Sequence, residues 1–124
     1  MGYTHYYTIH NTDSVEWQTA WSQLVADAQR IVNVSGISLA GPGREEHSRP
    51  IINEEDGIML NGVGQDGHEP LCIDKHGVAN FGFIKTARKP YDAVAACILL
   101  RAWVLAPNCI EVEYGERYIE TVRE

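Results

Sequence analysis

The run from Ala93 to Ala106 constrains this chain more than any other, because only Arg101 within it is not apolar. Pro90, whose fixed φ suits the first position of a helix, and Pro107-Asn108 at the far end frame it as a helix over residues 90–106. Its longest uninterrupted apolar stretch, 93–100, is far too short to cross a bilayer. A helix that is apolar all round has to be covered nearly all round. A single sheet covers one side. The other side calls for a first helix, the residues beyond Gly115, or a second copy of the chain, so a homo-oligomer is expected.

The remaining sequence supplies what that helix packs on. Residues 3–9 are dense in Tyr and Thr and read as a first strand. Asp13 followed by Glu16 reads as a capping box, opening a helix from Ser14 to about Asn33 that Gly36 stops. Trp17, Trp21, Leu24, Ala28 and Ile31 give that helix one apolar stripe. Short strands are expected at 37–40, 58–61, 71–74 and 81–86, separated by turns at 41–43, 54–57 and 62–67. Ile110-Glu111-Val112-Glu113-Tyr114 alternates apolar with acidic, the pattern of a strand with one face on the core and one toward water. No repeat or linker divides the 124 residues, so one domain, 1–124, is expected. Its expected fold is α+β: an antiparallel sheet of five or six strands with two helices packed on one face.

Ten Lys plus Arg against seventeen Asp plus Glu leave a net charge of −7. That balance speaks against a non-specific grip on nucleic acid or on an anionic membrane surface. Residues 1–6 have neither a basic nor an apolar signal region, and Tyr6 stands where a myristoylation motif carries Ser or Thr. Cys72, Cys97 and Cys109 form no close pair, as expected of reduced thiols in a cytosolic protein. Apolar neighbours mark Cys72 and Cys97 as inert core thiols.

The five histidines, at 5, 10, 47, 68 and 76, make no helical zinc motif. Asp66, His68 and Glu69 share a loop without obvious supporting residues, so neither metal nor cofactor is expected. His10-Asn11-Thr12 has the spacing of phosphodiesterases that use two His-x-Thr/Ser motifs, but the second motif is missing. The Gly-rich loops lack the Lys-Ser/Thr of a phosphate-binding loop, and no Ser or Cys has a recognisable nucleophile setting. No catalytic residue is therefore assigned.

Positive charge is concentrated in one place. Lys85, Arg88 and Lys89 are three of the ten basic residues and fall within five positions, just before Pro90. A helix N-terminus carries unpaired N–H groups and about half a positive charge, so cations stacked there are unfavourable unless an anion sits among them. A phosphate resolves the conflict, held by backbone N–H groups with Arg and Lys. Thr86 adds a hydroxyl donor and Tyr91 a ring on which a base can stack. Against this, Asp92 can satisfy the free N–H groups itself, and nearby Glu side chains can pair with the cations. A second cluster, Tyr3, His5, Tyr6 and Tyr7, lies in one strand, where alternation sends rings to both faces. One set serves the core, and the other is placed for a planar ligand or a partner chain.

Gly2-Tyr3-Thr4-His5-Tyr6 and Lys85-Thr86-Ala87-Arg88-Lys89-Pro90-Tyr91-Asp92 give the chain a resemblance to small uncharacterised proteins of tailed bacteriophages and prophages. Those proteins begin Gly-Tyr-Thr-His-Tyr and carry Phe-x-Phe-Cys-Lys-Thr-Ala-Arg-Lys-Pro-Tyr-Asp before an apolar helix. Asn61-Gly62 and Glu69 also fit, whereas Ile84 stands where the family often has Cys, which argues against an essential thiol there. The resemblance implies a phage accessory protein acting in the host bacterial cytoplasm. Many such proteins counter host immunity, some by sequestering the nucleotide messengers of anti-phage signalling.

Together with the residues, it makes the expected function a non-enzymatic anti-defence sponge for a phosphorylated small molecule, a cyclic or ADP-ribose-type nucleotide. Lys85, Arg88 and Lys89 would hold phosphate with Thr86 assisting, while Tyr91, Tyr3, His5 and Tyr6 contact base or ribose. Two other readings stand beside it. The acidic clusters Glu45-Glu46, Glu54-Glu55-Asp56 and Glu111, Glu113, Glu116, Glu120 and Glu124 suit a nucleic-acid mimic that inhibits a host defence complex. His5 or His10 would be the base of a nucleotide-modifying enzyme.

Overall fold

Trp17 and Trp21 anchor the first helix to two turns later in the chain. The structure, a computed structural model, describes residues 4–78 and 83–114. In it α1 (Val15–Ser35) buries Trp17, Ala20, Trp21, Leu24, Val25 and Ala28 along the expected stripe. The two indoles lie 5.9 Å apart, and their N–H groups donate to the backbone carbonyls of Lys75 and Glu54. Each tryptophan thus fills the core and also fixes a turn of the sheet beneath it. The helix start differs from the expected capping box. Ser14 is the cap, its Oγ accepting from Trp17 N at 3.1 Å. Glu16 instead accepts from the backbone N and Nδ2 of Asn108, at 3.0 and 3.1 Å. Gly36 ends the helix in the left-handed conformation, as its position suggested.

The fold is α+β with antiparallel pairing throughout, but the strands form two sheets rather than one. The first sheet has three strands: β1 (Thr4–Ile9) lies in the middle, between β7 (Phe83–Lys85) and β8 (Ile110–Tyr114). The second has five: β4 (Gly57–Gly62) pairs with β2 (Leu39–Ala40), β3 (Ile51–Asn53) and β5 (Leu71–Asp74), and β5 pairs with β6 (Gly77–Val78).

The two sheets meet at Glu69 and Lys85. Glu69 N donates to Lys85 O at 3.1 Å, as a ladder would require, but Lys85 N donates at 2.8 Å to the Glu69 side-chain carboxylate. A side chain has taken the place of a backbone carbonyl, and Pro70, next in line, has no N–H to offer. The ladder stops there, which is why a single sheet of five or six strands does not form.

The second helix, α2 (Asp92–Leu105), packs on α1 and on β8, while α1 also packs on β3 and β4. Between these layers lie Tyr7, Ile84 and Ile110 of the first sheet, Ile58, Leu60, Leu71 and Ile73 of the second, and Val94, Ile98, Leu99 and Ala102 of α2, all buried. Asp27 and Arg101 tie the helices together at 2.6 Å. No helix among the described residues is long and apolar enough to cross a membrane.

A basic turn at the start of the second helix

Between β7 and α2 the backbone makes two consecutive turns. In the first, Lys89 N donates to Thr86 O at 3.0 Å, and the two residues between them have positive φ, +53° at Ala87 and +57° at Arg88. Positive φ at both central positions is the signature of a type I′ turn, usually made by Asn and Gly. For residues with a Cβ it costs about 1–2 kcal/mol each. Asp92 N then donates to Lys89 O at 2.9 Å, closing a second turn with Pro90 at its second position, where fixed φ suits it. Arg88 stands exposed at the tip of the first turn, and Lys89 is half-buried behind it.

This strained turn is held from below by buried polar side chains. Asp92 Oδ1 receives His5 Nε2 and Thr86 Oγ1, both at 2.6 Å. An ionised carboxylate only accepts, so the imidazole proton on this side sits on Nε2. His5 is 1% exposed and Thr86 fully buried, so both hold Asp92 from the interior side. Tyr91 is also fully buried, and its hydroxyl donates to Glu69 O. Burial first, then the charges of Glu69 and Asp92, push this phenol well above its ordinary range, which keeps it a neutral donor. His68 Nδ1 lies 2.8 Å from Lys85 O, and Glu69 holds Lys85 on both sides as described above.

Asp92 therefore does not cap the helix it opens. Tyr91 is the capping residue, and its side chain makes no capping hydrogen bond. Arg88, Lys89, Pro90, Asp92 and Ala93 line an open depression at that end. Two cationic side chains and the N-terminus of α2 share one concave surface, and the one carboxylate lining it among the described residues is occupied on one oxygen by two hydrogen bonds.

The expected ligand residues separate into two groups. Lys85 and Arg88 are exposed, Lys89 is half-exposed and Tyr6 is 42% exposed. Thr4 pairs with Lys85 and Tyr6 lies two residues on, so Tyr6 and Lys85 occupy the same outer face of the first sheet. His5, Thr86 and Tyr91 are corrections: they are buried and support the turn from below, so none of them offers a surface for a ligand. Strand alternation sent His5 inward beside Tyr7, and the hydroxyl of Tyr91 found a backbone partner that keeps its ring in the core. Tyr3 lies outside the described residues.

Three supporting residues were not assigned from sequence. Glu69 and His68 hold Lys85. Asn61, fully buried, donates to Pro42 O and His68 O and accepts from Gly62 N and His68 N. All four of its hydrogen-bond positions are filled, clamping two loops beneath the turn. Gly62 allows this closeness, since a Cβ there would come within 2.1 Å of Asp66 O. The Asn-Gly pair was the only sequence signal for this clamp.

The loop of Asp66, His68 and Glu69 spends two of its three side chains on Lys85. Among the described residues no group of three or more His, Cys, Asp or Glu is placed to hold a metal. Cys72 is buried, and burial raises its thiol pKa. Cys97 corrects the expectation of a core thiol, because it is exposed on α2. His10 lies 3.6 Å from Glu111 on the surface. Comparison with protein-family models, curated proteins and solved structures finds no match to this chain.

Proposed function

We propose that this protein binds and sequesters a phosphorylated small molecule, a cyclic or ADP-ribose-type nucleotide, through the basic turn before α2 and without catalysis. The observation that carries the reading is the combination at one end of α2: Arg88 lifted on a strained turn, Lys89 behind it, and first-turn N–H groups that the side chain of Tyr91 does not cap. Strain of this kind persists where the surrounding structure enforces it, and it tends to cluster at ligand sites. Phosphate is the natural partner for Arg and Lys beside free N–H groups. Lys85 and Tyr6 extend the site along the outer face of the first sheet, where Tyr6, 42% exposed, would contact base or ribose. The resemblance to phage accessory proteins supports an anti-defence role in a bacterial host.

The buried, paired state of His5 and the surface position of His10 favour binding over turnover. The test is release mass spectrometry after incubation with cyclic dinucleotides, cyclic trinucleotides and NAD-derived cyclic species. One intact compound is expected to be recovered. A converted product would identify an enzyme, and nothing retained from the panel would remove the proposal. Arg88→Ala is expected to weaken binding about 10- to 100-fold, the loss of one charge-assisted hydrogen bond, with the thermal midpoint little changed. Unchanged affinity in that variant would place the site elsewhere.

A further inference from the structure

The outer face of α2 is apolar and uncovered among the described residues. Ala93, Cys97, Leu100 and Val104 are exposed and recur at helical spacing, forming one stripe opposite the buried Val94, Ile98, Leu99 and Ala102. Leu100 is 47% exposed and Val104 56%, with Trp103, 50% exposed, beside them. An apolar stripe of this kind on a protein of net charge −7 is an interaction surface rather than a solvated one.

The stripe is symmetric about its own centre. Its members lie at equal steps on either side of the Ile98–Leu99 bond, so an antiparallel copy of α2 laid on it brings Ala93 against Val104 and Cys97 against Leu100. Small residues meet large ones at every position, as interdigitating helix faces require. Charge matches in the same orientation. The N-terminal end of α2 carries Lys85, Arg88 and Lys89. The C-terminal end carries Glu16, held there by Asn108, together with Asp13 and Glu111. An antiparallel pair sets the basic end of each copy beside the acidic end of the other, whereas a parallel pair would set like charges together. The opposed helix dipoles add to the same preference.

We infer that the protein is a two-fold symmetric homodimer, with α2 of one copy packed antiparallel on α2 of the other about a dyad at Ile98–Leu99. This face is isologous, the usual form for a dimer. Its apolar contact is made by α2 alone, so loss of the dimer in Leu100→Glu and loss of nucleotide binding in Arg88→Ala are separate outcomes.

Light scattering on a size-exclusion column is expected to give the mass of two chains at micromolar concentration. Leu100→Glu, a substitution at an exposed position, is expected to give one chain with an unchanged circular dichroism spectrum. A wild-type monomer at 100 μM would overturn the inference, including the case in which another segment or a different protein covers the stripe. An Leu100→Glu variant that stays dimeric would overturn it equally.

The register has its own test. Chains carrying Ala93→Cys with Cys97→Ser are mixed with chains carrying Val104→Cys with Cys97→Ser and then oxidised. Mixed disulfides are expected to dominate over self-linked ones. Preferential linkage of position 93 to 93 and 104 to 104 would show a parallel pair and refute the dyad.

Discussion

Ala87 bears a conformational cost that glycine in its place would not. Its φ of +53° lies in the left-handed region, and so does that of Arg88 at +57°. Relief of the Cβ clash is worth about 1–2 kcal/mol, against about 0.5–1 kcal/mol for the freedom glycine adds to the unfolded chain. Ala87→Gly should therefore raise stability by about 0.5–1 kcal/mol, read as a higher midpoint in thermal unfolding. A lowered midpoint would contradict the positive φ. Asp92 makes the opposite case, since its Oδ1 is the acceptor for both His5 and Thr86. Asp92→Ala should cost about 2–4 kcal/mol in urea unfolding, because it leaves a buried imidazole without its acceptor. Asp92→Asn retains an acceptor oxygen and should cost distinctly less. Equal losses would mean that charge rather than hydrogen bonding is what matters at this position. The sequence disclosed the cations of this region but not their support. Ala-Arg has none of the Asn-Gly signature of a type I′ turn, and nothing in the spacing of residues 5, 86 and 92 announces that three side chains meet.

The helices show what pairwise spacing can and cannot reveal. The tryptophan stripe of α1 and the apolar length of α2 were both legible, because burial imposes a helical period on them. The first helix was one of three covers open to α2, but which residues meet there was not legible, since that depends on how the helices cross. At that contact Arg101 meets Asp27. Burial tends to raise the Asp27 carboxyl pKa, but hydrogen bonds from Arg101 and Gln23 and the Arg101 charge outweigh it and hold the pKa below its ordinary value. The folded state therefore favours the ionised form. This stabilisation is fully present above the unfolded carboxylate range and is lost as pH falls through the lower folded value. With Arg101 41% exposed, the pair is worth at most about 1 kcal/mol. Urea unfolding of wild type and Arg101→Met should differ by that amount at pH 7, and the gap should narrow as pH falls below the ordinary carboxylate range. A gap that does not narrow in acid would assign the effect to packing by the arginine stem. Strands β3 and β6, at 51–53 and 77–78, lie outside the runs that the sequence marked as strands. The division into two sheets escaped because it rests on which oxygen of Glu69 receives one N–H.

Over the whole molecule, β1 occupies the middle of its sheet and sends Tyr7 into the core between the helices and the other sheet. Its central amides should exchange with solvent only on global unfolding, while those of β6 at the edge of the other sheet exchange sooner. Hydrogen exchange followed by NMR would test this, and comparable protection in the two strands would contradict the central placement of β1. The position of β1 also has a consequence for synthesis. Thr4 pairs with Lys85 and His5 with Tyr114, so both neighbours of β1 come from much later in the chain. A ribosome delivers β1 long before either partner, leaving a strand rich in tyrosine and threonine unpaired while most of the protein is made. Until β8 emerges, that nascent strand is open to chaperones and to like strands on neighbouring ribosomes, and slowing translation would prolong its exposure rather than help it fold.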